Sequence, residues 1–417
     1  MFRIGAVGIC AALHAITILA QATDALDPIA RLDARIAAGE VTIRAQGRQG
    51  YLAELLTALE IPVTSQGLVF SRTSLQTDRI GPWAPRAIYF NDDVYIGAVR
   101  DSPFLEIAAI DPDGATEFYT VNQDGGARPI FQRETTTCLI CHQSKVVTGG
   151  VAGVIVRSVL TDRLGYTIGA LDGGSTSDHT PFDRRFGGYY VTGTHGSPGH
   201  AGNIKSPLLA HEIDRRDQYV RTYRQDDAGN LTDLSDRVKL DRFLSVDSDI
   251  VALLVLTHQA QVHNQIIQTR EAAAASIPDA VRLNAAIDRL LKDMLFAGEA
   301  PLNGPVQGTT TYARDFTARG PFDDRGRSLR DFDLDNRLFA NPLSFLIYSE
   351  AFDALPENVR REFYRRLDGI LRATAPAPDF SHLSAADRET IRNILEATKP
   401  DFRRLAPLRA PGAINRR

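Results

Sequence analysis

The sequence predicts an α+β fold, with a β-rich N-terminal half and a mainly helical C-terminal half. Residues from about 85 to 122 alternate with a period of two around the turn clusters Asn91-Asp92-Asp93 and Asp111-Pro112-Asp113-Gly114. Beyond residue 205 apolar side chains recur at helical spacing. The chain has 417 residues, 43% hydrophobic and 24% charged, which is globular composition sufficient for one large domain or two of common size. With only 3 cysteines there is no disulfide framework, so the fold must rest on an apolar core. A formal net charge of -4 argues against a nucleic-acid partner.

The first 22 residues read as a signal peptide. Arg3 precedes an apolar run from Ile4 to Leu19, and Ala20-Gln21-Ala22 supplies a small-x-small cleavage pattern. The rival reading is an uncleaved N-terminal anchor. No later stretch approaches the roughly 18 apolar residues of a membrane span, so no transmembrane span is expected in the mature chain. Cleavage after Ala22 removes Cys10 and leaves Cys138 and Cys141 as the only thiols. The expected location is the periplasm or another exported compartment.

Residues 23–205 are expected to form a mixed, β-rich region. Ile29, Leu32 and Ile36, and then Tyr51, Leu52, Leu55, Leu56 and Leu59, have helical spacing. A new regime starts at Leu68-Val69-Phe70. Strands are predicted at Ala87–Phe90, Val94–Val99, Leu105–Ile110 and Thr116–Val121, as a meander that stops just before residue 138. Two more are predicted at Val154–Leu160 and Tyr166–Leu171. A glycine-rich stretch follows, through His195-Gly196 and His200-Ala201-Gly202-Asn203. It reads either as backbone approaching a bound group or as a surface loop.

Residues 206–400 are expected to be helical. Leu208–Tyr223 is one candidate helix. Asp247-Ser248 is expected to cap a long helix to about Ala275, followed by Pro278–Phe296. Pro356–Arg372 is amphipathic, and Ser384 with Asp387 forms a capping-box signature for the last helix, which Pro400 should close. The tail 401–417 is expected to be disordered.

The stretch that carries chemistry is Cys138-Leu139-Ile140-Cys141-His142. Thiols two residues apart can add across the two vinyl groups of one porphyrin, and the next residue, a histidine, then falls under the iron. The expectation is one covalent haem c, with Cys138 and Cys141 as attachment points and His142 as proximal iron ligand. The rivals are a zinc site, a redox dithiol and coincidence. Zinc would need two further ligands, and no second CxxC or HxxxH exists. A redox dithiol prefers a helix N-terminus in a βαβ unit.

In these three residues the sequence resembles the c-type cytochromes, and the resemblance implies thioether bonds at Cys138 and Cys141 and proximal ligation by His142. It departs from small soluble cytochromes c, in which the motif lies near the start of a short helical domain. The stretches Ala84–Asp92, Val191–Gly196 and Leu343–Pro356 are similar to a family of exported bacterial single-motif haem proteins. That resemblance covers most of the mature chain and implies no mechanism.

The sixth iron position would decide the function. Met294 is the only methionine after signal cleavage and reads as core. Histidines crowd residues 142–263. His258 lies on an apolar stripe with Leu254, Val262 and Ile266, and His263 lies about 140° round the same helix. His200 and His258 are the leading distal candidates. The expected function is electron transfer with a redox partner protein. The alternatives are a peroxidase- or oxidase-type enzyme with an open distal site, and a haem-based sensor or binding module. Arg360, Arg361, Arg365 and Arg366 form a basic helix face that could dock an acidic partner, and Arg325, Arg327 and Arg330 could meet haem propionates.

Overall fold

The computed structural model describes residues 27–223, 230–277, 279–302 and 304–406. The predicted signal segment 1–22 lies outside them, as do residues 407–417 of the tail.

Two short helices open the described chain, α1 (Pro28–Ala37) and α2 (Leu52–Ala58). Asp27 caps α1, its Oδ1 accepting the Ile29 and Ala30 amides at 2.8 and 3.1 Å. Then come β1 (Gly67–Val69), β2 (Arg86–Phe90), β3 (Val94–Ala98), β4 (Phe104–Ile110), β5 (Thr116–Asn122) and β6 (Phe131–Arg133). The predicted meander is present and runs one strand further, through β6. A one-turn helix, α3 (Leu139–His142), follows. The hairpin β7 (Val159–Thr161) and β8 (Thr167–Ala170) stands apart, and β9 (Tyr189–Tyr190) returns to the main sheet.

That sheet has seven antiparallel strands in the order β6-β5-β4-β3-β2-β1-β9. Its alternation divides the core in two. Leu68, Tyr89, Ile96, Leu105 and Ile107 pack on one face against Ile29, Leu32, Leu55 and Leu56 of α1 and α2. Val69, Tyr95, Ile110 and Tyr189 point the other way into a larger cluster built on the helical half. Period two thus holds although both faces are covered, because each face meets a different layer.

The helical half comprises α4 (Arg216–Thr222), α5 (Ile250–Ala273), α6 (Ala280–Met294), α7 (Tyr312–Thr317), α8 (Glu350–Asp353), α9 (Glu357–Arg372), α10 (Ala385–Thr398) and α11 (Pro400–Leu405). Helix α5 is its axis. Nearly every residue from Ile250 to Ile267 is buried, so this is a core helix with no solvent stripe. Its cap is Asp249, whose carboxylate accepts the Val251 amide at 2.8 Å. Ser248, the expected cap, instead donates to the Tyr190 carbonyl at 2.6 Å and accepts the Leu68 amide at 2.9 Å, stitching the helix entry to β1 and β9. Among the described residues no helix is long and apolar enough to cross a membrane.

Several boundaries differ from the sequence reading. Only Arg216–Thr222 of the segment 208–223 is α-helical. The strand expected at 154–160 shrinks to Val159–Thr161, because the stretch before it bonds to α5 and to Thr176 instead of a strand. Pro400 opens α11 from its first position, where a missing N–H costs nothing, so residues 401–405 are helical. The capping box of Ser384 and Asp387 is present.

Candidate functional site

The motif lies on the face of the β4–β6 edge that looks toward the helical half. Cys138 begins the turn with helical backbone angles, and both the Cys141 and His142 amides donate to its carbonyl, at 3.3 and 3.0 Å. Positions i, i+3 and i+4 of a helical turn share a face, so Cys138, Cys141 and His142 point to one side. Both thiols are free, Cys141 exposed and Cys138 half-buried. Burial pushes the Cys138 thiol up to about 11, aided by the charges of Glu134 and Glu106. A thiol held neutral in this way is a poor redox nucleophile.

His142 is held by the core. Its ring packs on Phe118 of β5 with centroids 4.7 Å apart. Its Nδ1 lies 2.9 Å from the Gly153 carbonyl and donates to it. Helix α5 fixes that carbonyl in place: Asn264 accepts the Val154 amide at 3.0 Å and donates to the Val154 carbonyl at 2.8 Å. Gln268, one turn on, donates to the Thr148 carbonyl at 3.1 Å. Gly153 is required here because a Cβ would collide with the Asn264 side chain. Burial keeps the His142 imidazole below its ordinary range, against the Gly153 hydrogen bond. The ring is therefore neutral at pH 7, with its proton on Nδ1 and a lone pair on Nε2. The ring nitrogens point in nearly opposite directions, so Nε2 faces away from the loop that holds Nδ1.

Next to the motif, Arg86 of β2 pairs with Glu106 of β4 at 2.8 Å, and Gln76 donates to the other Glu106 oxygen at 3.2 Å. The Arg86 Nε is buried without a hydrogen-bond partner, and Arg86 lies close enough to His142 to help lower its pKa. Ile140 within the motif, and Ile130 and Val146 on either side of it, are 80%, 68% and 85% exposed. They are three of the five most exposed large aliphatic side chains among the described residues, where a hydrophobic group would find apolar surface.

The two distal candidates each have partners of their own. His258 is fully buried, with both ring nitrogens engaged. Nδ1 is 2.6 Å from Asp178 Oδ2 and Nε2 is 2.8 Å from Ser344 Oγ, while Phe296 stacks on the ring at 4.3 Å. His200 is buried between Phe182 and Phe186, its Nδ1 accepting the Gly202 amide at 3.0 Å. Its ring is 4.7 Å from that of His195, and burial, with His195 adding to it, lowers its pKa to about 3. His263 shares a hydrogen bond with the Tyr95 hydroxyl at 2.9 Å. Met294 is fully buried on α6. The fold brings none of these into hydrogen-bonding or ring contact with His142.

Asp178, His258 and Ser344 match the spacing of an acid–histidine–serine relay. All three are buried, however, and Ser344 Oγ also accepts the Leu346 amide at 3.3 Å under Phe339 and Phe345. No substrate reaches that hydroxyl, and the arrangement serves as an internal clamp between 178, α5 and 344.

No family model matches this chain, and no curated protein or solved structure matches it either.

Two features read from sequence are used up internally. On α9, Arg360 pairs with Asp401, Arg361 with Glu357, Arg365 with Glu362, and Arg366 with Asp288 and Glu362. The basic face is thus a lattice of ion pairs rather than a free patch. Arg327 is bound to Asp323 and Arg330 to Asp92, at 2.6 and 2.5 Å. Among the described residues no group of three or more His, Cys, Asp or Glu side chains is arranged to hold a metal ion. Sequence reasoning missed Phe118, Asn264, Arg86 and Glu106, which no local pattern ties to the motif.

Proposed function

We propose that this chain is an exported c-type haem protein that exchanges electrons through one covalently held haem at its surface. The observation that carries the reading is the His142 Nδ1–Gly153 carbonyl hydrogen bond. A metal-ligating histidine characteristically gives its other ring proton to a backbone carbonyl or carboxylate, which fixes the tautomer and raises the basicity of the ligating nitrogen. Here that partner is in place, and the two thiols lie on the same face of the turn.

In this reading Cys138 and Cys141 hold the porphyrin. Each thiol would add across one vinyl group, its sulfur to one carbon and its hydrogen to the other, so no oxidant would be consumed. His142 Nε2 would hold the iron, and the Asn264-anchored loop would keep the imidazole from rotating. Ile140 and Val146 offer apolar contact beside the motif. The haem, when bound, supplies a reversible one-electron couple. The motif's exposure keeps that couple near solvent and within reach of a redox partner protein.

The enzyme alternative asks for a distal acid–base group. The histidines best suited to that work, His200, His258 and His263, are all buried in the core, so electron transfer is the better supported reading. The expected export agrees with it, since the thiols would be modified outside the cytoplasm.

The deciding test is the mass of the denatured mature protein after acid-organic extraction. Wild type should retain one haem per chain, and the Cys138→Ala, Cys141→Ala double variant should release it. Intact protein carrying stoichiometric zinc and no haem would overturn the proposal.

A further inference from the structure

The segment between β1 and β2, residues 70–85, meets the turn of the β7–β8 hairpin, residues 162–166, at Arg72. The Arg72 amide donates to the Gly165 carbonyl at 2.9 Å, its Nε to the Leu164 carbonyl at 3.1 Å and its Nη1 to the Tyr166 hydroxyl at 2.9 Å. Its guanidinium packs on two rings, 4.3 Å from the centre of Tyr166 and 5.8 Å from that of Trp83. Glycines let the two segments close up. A Cβ on Gly165, whose φ is +90°, would come within 2.6 Å of the Phe70 carbonyl oxygen, and one on Gly81 would meet the Trp83 ring at 3.0 Å. Trp83 and Tyr166 are thus held from within, yet they are 51% and 47% exposed, and the same two segments carry Leu75 and Leu164 at 52% and 37%. That much open apolar surface on two joined loops marks a contact site.

Charge selects what it contacts. Asp162 shapes the hairpin turn from inside: it is buried, and its oxygens accept the amides of Leu164, Tyr166 and Ala210. At the surface of the two segments Arg72, Arg79 and Arg163 then stand against one carboxylate, Asp78. The Arg72 side chain donates to neutral oxygens, and Arg79 donates to the Asp101 carbonyl at 3.0 Å, so these bonds leave both charges uncancelled. The groove beside Trp83 adds no net charge, with Arg237 and Lys239 alongside Asp236 and Asp241, and Arg100 pairs with Asp101 at 3.2 Å. Amphipathic rings, aliphatic side chains and surplus guanidinium on one pair of loops suit an anionic lipid surface. The rings sit at headgroup level, the leucines reach the acyl boundary and the guanidiniums meet the lipid phosphates.

We propose that these two loops bind peripherally to an anionic phospholipid bilayer, through Leu75, Trp83, Leu164 and Tyr166 with Arg72, Arg79 and Arg163. The inference uses no residue of the haem reading and stands apart from it.

Mature protein is floated with vesicles of phosphatidylcholine alone and of phosphatidylcholine containing about one third phosphatidylglycerol. Binding to the anionic vesicles should be roughly tenfold tighter or more, and should weaken as salt is added. Trp83 is the only tryptophan of the chain, so its emission reports the contact directly and should shift to the blue on the anionic vesicles. The double variant Leu75→Ser, Leu164→Ser should weaken binding roughly tenfold. Arg163→Gln should weaken it roughly fivefold on anionic vesicles only. These side chains are exposed, so both proteins should keep the wild-type melting curve. The control is Val281→Ser, an equally apolar and exposed position on α6, which should leave binding unchanged. Absence of flotation, equal affinity for the two vesicle types or an unshifted Trp83 emission on bound protein would overturn the proposal and leave the loops to a protein partner. Wild-type affinity in both loop variants, or an equal loss in the control, would overturn it as well.

Discussion

His258 Nδ1 and Asp178 Oδ2 stand 2.6 Å apart in the interior, joining the long central helix to the loop that follows the β7–β8 hairpin. Burial works to raise the Asp178 carboxyl, but His258, with Arg185 and His179, holds it below the ordinary carboxylate range. Arg185, also buried, donates to the backbone carbonyls of Asp178 and Thr180 at 2.6 and 2.7 Å. The result is a satisfied polar knot in an aromatic setting.

Removing one member should leave the others unpaired. His258→Ala is expected to cost about 3–5 kcal/mol, because it leaves the buried Asp178 carboxylate without its partner. Ser344→Ala should cost about 1–3 kcal/mol. Denaturant melts measure both. The distal question has its own test: the optical spectrum of the proposed haem should be identical in wild type, His258→Ala, His200→Ala and Met294→Leu. A low-spin wild type that turns high-spin in one of them would identify that residue as the sixth ligand and refute this expectation.

Asn264 is a positioning residue for His142. Asn264→Ala removes both hydrogen bonds to Val154 and should destabilise the fold by about 1–3 kcal/mol. With the Gly153 carbonyl released, the reduction potential of the proposed haem should also shift. The control is Thr269→Val, which removes a hydroxyl of the same helix that donates within α5 and toward Ala286. A potential unchanged in Asn264→Ala, or shifted equally in the control, would mean that the loop does not orient the ligand.

Stability should carry a distinctive pH signature at Asp93. Burial raises its carboxyl to about 7, helped by the neighbouring charges of Asp92 and Glu350. A folded-state pKa above the unfolded value means that the native protein holds the proton more tightly. This group's stabilising contribution is complete below pH 4 and is lost as the pH rises through 7. Asp93→Asn should therefore match wild type near pH 4 and become progressively more stable than it toward pH 8. Melting temperatures across that range check the sign, and a gap that widens on acidification would show that Asp93 is stabilised as the anion.

Packing of α5 sets the scale for the core. Leu254 is fully buried among the sheet and helical layers, so Leu254→Ala should cost about 2–5 kcal/mol by chemical denaturation.

The meander was legible because its turns are written locally: Asn91 Oδ1 accepts the Asp93 and Val94 amides, and Asp111 Oδ1 accepts that of Asp113. The pairing of β1 with β9 was not, because Leu68 and Tyr190 are 122 positions apart and no short-range pattern names a strand's partner. The motif stood out because two cysteines and a histidine at fixed spacing match one proposed chemistry. The fate of the histidines did not, because α5 is buried on all sides. An apolar stripe around His258 carries no direction when every face of the helix is apolar, and its partners Asp178 and Ser344 are 80 and 86 residues away.

Strand β4 has neighbours of opposite allegiance. Leu105 is sunk in the core layer under α1 and α2, while Glu106 holds Arg86 on the side of the motif. They are joined by one peptide bond, which is planar and stiff. Any sliding or tilting of β4 that reshapes one compartment must carry the other with it, so the two faces are mechanically in series rather than insulated from one another.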